Sequence, residues 1–423
     1  MKGGIIIFNV VDSIMGSGKS TWAFNYMYKQ KNKKFIYVTP YLDEIHRLLY
    51  IKDEDGEILK DDNGSVIGTK WYYERYFREP KHLGEGKLDN LHDLLIKERN
   101  IATTHALFKM CTQETLDLIQ DGGYTLILDE ALDVVELMDD MKLKDYEMLI
   151  NDKKIRVNDD RSITWIDTDY DGVFLDFKRK CENGTVVEIK RSKKMQLLIW
   201  NFNIDSFKVF KEIYVMTYLF SASLLYNYFR IHKVQYNLWC IENNELIEFN
   251  NKKPYNKKQL RKLINIYEGN MNNIGEYKTA LSVSWYKNKK ILLPKLKNNI
   301  YNYFKNITKS NVSQSLWTTF KSSQKALTYA GYKNAFIPCS IKATNEYKDR
   351  IALAYCVNRY LSPDYEAYFT RYGVVINQDM YALSEMIQWI WRSAIRDDKS
   401  ISIYIPSARM RGLLQDWLNN ENL

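Results

Sequence analysis

The sequence is poor in the residues that build disulfide-linked or zinc-stapled proteins. Its 423 residues include five cysteines and five histidines. The cysteines are odd in number and scattered, and no two of them form a C-x-x-C pair: Cys111, Cys181, Cys240, Cys339 and Cys356. A disulfide framework shows an even, closely spaced set, and a zinc site needs clustered ligands. Both classes are therefore excluded, and we expect a protein of the reducing cytoplasm.

Long hydrophobic runs are scarce as well. Ile213 to Phe229 is a stretch of 17 residues without a charge, but it contains several polar side chains. A helix that spans a membrane needs about 20 predominantly apolar residues. We therefore predict a strand, a loop and the start of a helix there. The apolar run before Asp12 is too short for the core of a signal peptide, so we expect neither a secretion signal nor a membrane partner.

Positive charge is in modest excess over the whole chain and concentrated in one segment. The chain carries 61 Lys and Arg against 52 Asp and Glu, a net charge of +9. Residues 251–310 hold 14 Lys or Arg and two acids, a net of +12, which leaves −3 for the rest. Such asymmetry favours a polyanionic partner such as nucleic acid, although a run of lysines is equally typical of a solvated helix face.

The length and the pattern of apolar runs predict an α/β protein of two domains. A single core stops growing at roughly 250–300 residues. Short β-branched runs alternate with helix-like segments, as in parallel sheets covered by helices. These runs are Gly4 to Val11, Phe35 to Thr39, Ile101 to Thr104, Tyr124 to Asp129 and Glu212 to Thr217. We predict a first domain over residues 1–224, with insertions near 51–90 and 140–200, and a second over 225–423.

The second half repeats the alternation less clearly. Predicted strands are Ser315 to Phe320, Ala335 to Cys339, Gly373 to Ile376 and Ile401 to Ile405. Predicted helices are Asn345 to Arg359 and Tyr381 to Arg396. Together they predict a second α/β domain.

A glycine-rich turn directly follows the first strand. Its sequence, GSGKST, opens onto a helix-like segment. Glycines let backbone N–H groups surround a phosphate, and the helix N-terminus adds its dipole. Lys19 would reach the β- and γ-phosphates and Ser20 would bind Mg²⁺. The predicted nucleotide contacts are Gly16, Ser17, Gly18, Lys19, Ser20 and Thr21.

Two carboxylates end another apolar run. Asp129 would hold Mg²⁺ through water, and Glu130 would deprotonate the water that attacks the γ-phosphate. Gln388, Arg392 and Arg396 are spaced i, i+4 and i+8, which predicts one helical face that could supply a cation to the transition state. A solvated face of an amphipathic helix is the alternative interpretation.

The order of these segments resembles that of superfamily 2 helicases, most closely the compact helicase-like ATPases that phages of low-GC hosts encode. The resemblance covers nearly the whole chain. The matching segments are Gly16 to Ser20 (motif I), Thr39-Pro40 (Ia), Thr103 to Leu107, Asp129 to Ala131 (II), Ser221 to Ser223 (III), Leu316 to Ser322 (IV), Ala343 to Asn345 (V) and Gln388 to Arg396 (VI).

The resemblance implies two RecA-like domains that bind ATP and Mg²⁺ and act on single-stranded or tailed nucleic acid, with DNA favoured over RNA. It implies a role in phage DNA replication or recombination, in the host cytoplasm and alongside other proteins of those processes. Thr39 and Thr104 would begin helices whose N–H groups bind phosphates, and Thr344 of the second domain would bind phosphate as well, although threonine is also a routine helix N-cap. The basic segment adds Lys287, Lys289 and Lys290 as candidate contacts.

Several alternatives stay open at this point. An ATP-gated loader without strand separation, or a terminase-like packaging ATPase, would share the first two motifs. Motif VI departs from the family because Trp391 replaces a glycine and the second arginine comes four residues after Arg392. Either arginine could therefore be the finger, and the resemblance favours Arg396. Since only eleven residues precede Asp12, we expect no adenine-reading motif, and the choice among nucleotides stays open.

Overall fold

A computed structural model describes residues 7–84, 86–192, 195–249, 257–340 and 346–420. The chain divides into two compact units. The first comprises Met1–Ser13, Gly18–Glu248 and Pro363–Ile376, and the second comprises Ile14–Ser17, Phe249–Ser362 and Asn377–Leu423. The first unit therefore extends beyond the predicted boundary at 224/225, because the strand at Tyr236–Glu242 pairs with the first strand of the chain.

The strands in the described residues are β1 (Phe8–Asp12), β2 (Lys34–Thr39), β3 (Phe77–Arg78), β4 (Asn100–Thr104), β5 (Tyr124–Asp129), β6 (Val135–Leu137), β7 (Ile155–Val157), β8 (Ser162–Trp165), β9 (Gly184–Ser192), β10 (Met195–Phe202), β11 (Glu212–Thr217), β12 (Tyr236–Glu242), β13 (Glu245–Glu248), β14 (Ile264–Ile266), β15 (Ser315–Thr318), β16 (Ala352–Tyr355) and β17 (Ile401–Tyr404).

The α-helices in the described residues are α1 (Lys19–Lys29), α2 (Leu42–Leu49), α3 (Lys70–Glu74), α4 (Lys87–Ile96), α5 (His105–Phe108), α6 (Gln113–Gly122), α7 (Leu143–Asn151), α8 (Leu175–Asn183), α9 (Leu224–His232), α10 (Lys257–Leu263), α11 (Val283–Asn288), α12 (Leu293–Asn302), α13 (Gln324–Leu327), α14 (Pro363–Arg371), α15 (Gln378–Ile390) and α16 (Ala408–Asn419). Among them we find no helix with the length and apolar character to cross a bilayer.

The first unit is built on a mostly parallel sheet. In the described residues its strand order is β13-β12-β1-β11-β5-β2-β4-β3, and every neighbouring pair is parallel except β12 and β13. All six residues of β5 are buried, as expected of a strand covered by helices on both faces. The predicted strands at Phe35 to Thr39, Tyr124 to Asp129 and Glu212 to Thr217 are confirmed, and so is the α/β fold class.

The insertion predicted near residues 140–200 contains a separate antiparallel sheet. Its order in the described residues is β6-β10-β9-β8-β7, and α7 and α8 lie in the same stretch of chain. Antiparallel strands joined by turns need no crossover helices. This explains why the stretch interrupts the alternation of strands and helices in the sequence.

Arg75 fastens the segment that follows α2 to the end of α1. Its guanidinium is buried and donates hydrogen bonds of 2.9 to 3.1 Å to four backbone carbonyls, those of Met27, Gln30, Lys31 and Lys33. The last carbonyls of a helix lack partners within the helix, and a cation there also complements the helix dipole. Arg75 therefore supplies a C-terminal cap from outside the helix.

The second unit contains a four-stranded sheet in the described residues, and all of its strands are parallel. The order is β14-β17-β16-β15, and its core includes Trp317, Phe304 and Tyr404. The predicted helix at Asn345 to Arg359 is wrong, because Ala352–Tyr355 forms β16 between two other strands. The alanines of this run suit a helix, but burial between two neighbouring strands overrides that propensity.

Two further strand predictions in the second half are wrong. Ala335 to Cys339 forms no strand: a one-turn helix at Lys333–Ala335 leads into a single bridge between Phe336 and Trp317. Gly373 to Ile376 leaves α14 as irregular chain and belongs to the first unit. Short apolar runs of this kind are too brief for their periodicity to identify a strand.

Candidate functional site

Five parallel strands of the first unit end together at one edge of the sheet, which we call the carboxyl edge. Pairing aligns Asp12 with Thr217, Asp129 with Met216, and Thr39 with Thr104. Ligands of open parallel sheets bind beyond such strand ends. The predicted motifs at Asp12, Thr39, Thr104 and Asp129 thus come to the same edge of one sheet.

The glycine-rich turn between β1 and α1 has the backbone of a phosphate loop. Gly16 and Gly18 have φ of 82° and 89°, a region that residues with a side chain rarely adopt. The helix begins at Lys19 with no side-chain cap, and the Lys19 ammonium donates a hydrogen bond to the Ser13 carbonyl. Ser17 Oγ is buried and has no hydrogen-bond partner in the part of the chain that the structure describes. These features leave a helix N-terminus and an orphaned hydroxyl where phosphate oxygens would bind.

Ser13 holds the place where the phosphate-loop pattern usually has a glycine. Its buried hydroxyl accepts a hydrogen bond of 2.8 Å from the amide of Ile241 in β12. β12 and β13 form an antiparallel hairpin. The two residues at its tip, Asn243 and Asn244, both have positive φ, as in a type I′ turn. Asn244 Oδ1 lies 3.3 Å from the position that a Cβ on Gly18 would take. The serine therefore anchors a hairpin that approaches the loop, a feature that sequence reasoning missed.

Asp129 accepts two hydrogen bonds on one carboxylate oxygen. Ser20 Oγ donates to its Oδ2 over 2.9 Å, and Tyr37 Oη donates to the same atom over 2.6 Å. Burial, followed by the negative charge of Asp129, raises the pKa of Tyr37 well above its ordinary value, so the phenol is a neutral donor. Ser20 and Asp129 were both predicted to bind Mg²⁺, whereas no role was predicted for Tyr37. The only signal for Tyr37 is its place near the end of the strand that neighbours β5.

Glu130, the residue after Asp129, has a strained backbone. Its φ is 82°, although glutamate carries a Cβ, and its amide donates to the Met216 carbonyl over 3.0 Å. A residue with a side chain in such a region costs on the order of 1–3 kcal/mol, and such strain gathers at functional sites. The side chain is partly exposed. Glu130 therefore lies at the carboxyl edge with the kind of backbone strain that is common at functional sites.

Asp12 connects the end of β1 to the segment that resembles motif III. Its Oδ2 accepts a hydrogen bond of 2.9 Å from the amide of Phe220. Burial raises the pKa of the Asp12 carboxyl, and the Phe220 amide and the Lys19 charge offset part of that rise. Ser223 caps α9 by accepting from the Tyr226 amide over 3.0 Å. The chain after β11 is thus tied to the start of the glycine-rich turn.

The predicted threonine contacts differ from one another. Thr39 is buried at the end of β2, but α2 begins at Leu42 with Tyr41 as its N-cap, so the prediction that Thr39 begins a helix is wrong. Thr104 does begin α5, and its hydroxyl accepts from the Leu107 amide over 3.3 Å. That contact is the routine N-cap. Thr344 lies outside the described residues.

The basic segment divides into exposed and buried parts. Lys287, Lys289 and Lys290 are all exposed, at the end of α11 and just after it. Lys257, in contrast, is buried and donates to the carbonyls of Trp417 and Asn420 over 2.8 and 2.6 Å. It stabilises the end of α16 and is not available to a polyanion. Aromatic neighbours such as Trp285 and Tyr286 belong to the core of the second unit.

The prediction that Gln388, Arg392 and Arg396 share one helical face is wrong, because α15 ends at Ile390. Beyond it the Ala394 amide pairs with the Arg350 carbonyl over 3.0 Å, and Ala394–Asp397 forms a separate one-turn helix. The resulting environments of the three side chains differ. Gln388 donates to Ser384 in its own helix over 3.2 Å, Arg392 is buried, and Arg396 is exposed.

Arg396 lies near Gly16, and both residues belong to the second unit, which includes Ile14–Ser17. The position that a Cβ on Gly16 would take lies 3.9 Å from the Arg396 carbonyl oxygen and 4.0 Å from its Cγ. Arg396 is therefore exposed and lies close to Gly16, whereas Arg392 is buried.

Fold and site together define a class: an α/β protein with a glycine-rich turn and strand-end carboxylates at the carboxyl edge of a parallel sheet. The chain belongs to the YonV family. Aligned over 428 residues, it is 41% identical to the SPbeta prophage-derived protein YonV of Bacillus subtilis (strain 168). The alignment covers 97% of this chain and 98% of that protein.

Two family models match parts of the chain. The YonV middle domain matches residues 135–200, which hold the antiparallel sheet, and the YonV C-terminal Rossmann-like domain matches residues 258–418. A solved structure, that of S. tokodaii Xpd4, is similar over 97% of this chain and 94% of that one, at 11% identity and a TM-score of 0.45.

Proposed function

We propose that this protein is a Mg²⁺-dependent ATPase of helicase type that moves along or remodels nucleic acid. The observation that carries the proposal is the hydrogen bond of 2.9 Å between Ser20 and Asp129. It joins the first turn of α1, next to Lys19, to the carboxylate that ends β5. A hydroxyl and a carboxylate that converge beside a phosphate loop are the ligands that Mg²⁺ takes with a bound nucleotide.

The chain's own groups account for binding. Backbone amides from Gly16 to Thr21 and the N-terminus of α1 would bind the phosphates. The Lys19 ammonium would leave the Ser13 carbonyl for the β- and γ-phosphate oxygens. Ser20 would ligate Mg²⁺ directly and Asp129 through water. When bound, Mg²⁺ supplies positive charge that neutralises the phosphate oxygens during transfer.

Glu130 serves as the base. Its carboxylate accepts a proton from water while the water oxygen bonds to the γ-phosphorus. The bond from that phosphorus to the β–γ bridging oxygen breaks, and the products are ADP and phosphate. Arg396, which is exposed and has Gly16 as a neighbour, is the arginine we assign to the charge that develops on the γ-phosphate. Arg392 is buried and suits a structural role.

The proposed partner is single-stranded or tailed nucleic acid, with DNA favoured. Three observations support it: the prophage origin of the similar protein, the exposed lysines at 287, 289 and 290, and threonines at the ends of β2 and β4. A motor of this kind would act in phage DNA replication or recombination. A loader that separates no strands would share the same ATP site, so the two differ only in what hydrolysis accomplishes.

Two assays on the purified chain test the proposal. The first measures phosphate release from ATP and other nucleotides with and without Mg²⁺ and single-stranded DNA, with Lys19→Ala as the inactive control. The second measures strand displacement on tailed duplexes. We expect DNA-stimulated, Mg²⁺-dependent hydrolysis together with displacement. Hydrolysis without displacement would favour the loader, and parent activity equal to that of Lys19→Ala would refute the ATPase.

A further inference from the structure

Tyr37 is a buried aromatic residue whose hydroxyl lies at the candidate metal site. It is on β2, which pairs in parallel with β5, and its ring packs edge-on against Phe24 with 5.5 Å between ring centroids. The side chain has no exposed surface. A tyrosine buried this deeply needs a partner for its hydroxyl. The partner here is Asp129, the carboxylate proposed to hold Mg²⁺.

Two hydroxyls from different elements share one oxygen of that carboxylate. Ser20 Oγ from α1 and Tyr37 Oη from β2 lie 2.9 and 2.6 Å from Asp129 Oδ2. Neither hydroxyl uses Oδ1. Two donors on one oxygen fix the rotation of the carboxylate plane and present the other oxygen in a defined direction. Outer partners of this kind orient metal-binding carboxylates in general.

We propose that Tyr37 is a positioning residue for Mg²⁺: its hydroxyl orients Asp129 so that Oδ1 receives a metal-bound water. This inference rests on the proposed function and adds a residue to that site. A single hydrogen bond from Ser20 would leave the carboxylate plane able to rotate about it. The bond from Tyr37 supplies the second constraint, and it comes from a residue that is not itself a proposed metal ligand.

The test replaces only the hydroxyl, with Tyr37→Phe. We measure binding of a fluorescent ATP analogue over a Mg²⁺ titration, and binding in EDTA. Losing an outer partner of a metal ligand typically costs about 10- to 100-fold in metal affinity. We expect the Mg²⁺ concentration at half-saturation to rise by that factor. Binding in EDTA should stay within about threefold of the parent.

Tyr124→Phe is the matched control. Tyr124 starts the strand that Asp129 ends, is equally buried, and donates to the Arg99 carbonyl over 2.9 Å. The control loses a partly buried hydrogen bond at the end of β5 opposite the carboxylate, so we expect its Mg²⁺ titration to match the parent. Equal shifts in both variants would mean a general loosening of the strand and would overturn the positioning role.

A second background separates positioning from folding. With Asp129→Asn already present, Tyr37→Phe should change the Mg²⁺ titration no further, because the residue acts through that carboxylate. An unchanged half-saturation in Tyr37→Phe alone, or a further shift on the Asp129→Asn background, would overturn the inference. If the parent's nucleotide binding shows no Mg²⁺ dependence, the proposed function itself fails, which is a distinguishable result.

Discussion

The carboxyl edge of the first sheet and the segment from Gln388 to Arg396 were both predicted to handle phosphate charge, and they are built in different ways. At the edge, polar side chains from separate elements hold one another: Asp129 is bonded to Ser20 and Tyr37. In the second segment, Gln388 bonds to Ser384 within its own helix, and beyond that helix the Ala394 amide bonds to the Arg350 carbonyl. The edge is therefore held by bonds between the protein's own side chains, and the segment offers one exposed arginine.

The strongest test of the edge replaces its two reactive groups. We expect Lys19→Ala and Glu130→Gln each to reduce ATP hydrolysis by about 10³-fold or more. Lys19→Ala removes charge from the phosphates and should also weaken nucleotide binding, whereas Glu130→Gln removes only the base and should leave binding intact. Turnover and nucleotide affinity measured on each variant check this. Near-parent turnover in either one would remove that residue from the site.

The second segment is tested by separating its arginines. Arg396→Ala should lower stimulated turnover by about 10³-fold with ATP affinity little changed, because a finger acts on charge that develops in the transition state. Arg392→Ala should instead lower the melting temperature, since Arg392 is buried. Turnover, affinity and melting are measured side by side. If Arg396→Ala keeps turnover within about threefold of the parent, the second unit supplies no finger from this residue.

A third test concerns Arg75, a buried arginine outside the candidate site. Arg75→Ala removes the guanidinium from four carbonyls at and just beyond the end of α1, and we expect the free energy of unfolding to fall by about 3 kcal/mol. Arg179, exposed and paired with Asp176 three residues earlier, is the control. Arg179→Ala should cost at most about 0.5 kcal/mol. Equal losses in denaturant titrations would contradict the capping role.

The smallest expected effect concerns the exposed lysines of the second unit. Replacing Lys287, Lys289 and Lys290 by Gln should flatten the dependence of log affinity for DNA on log salt by up to roughly two units, at about 0.7–0.9 per phosphate contact. Replacing exposed Lys142, Lys144 and Lys153 removes the same charge elsewhere and should leave the slope unchanged. Identical slopes for parent and first triple variant would assign these lysines to a solvated face.

Features that depend on adjacent residues could be predicted from the sequence, and contacts between residues far apart in the chain could not. The glycine-rich turn is local, because positive φ at Gly16 and Gly18 and the helix start at Lys19 depend on adjacent residues. Tyr37 and Asp129 are 92 residues apart, and Ser13 and Ile241 are 228 apart. No periodicity or spacing links such pairs. The missed residues of the candidate site are all of this second kind.

The α/β class, the buried strand of Tyr124 to Asp129 and the glycine-rich turn could be predicted without the structure, because short apolar runs and their alternation with helix-like segments are strong local signals. The remaining features depend on contacts between distant residues. β16 is a strand because strands flank it on both sides, although its alanines suit a helix. α15 ends at Ile390 because Ala394 pairs with Arg350 from a distant part of the chain. Where neighbours far along the chain compete with local propensity, burial and backbone hydrogen bonds prevail.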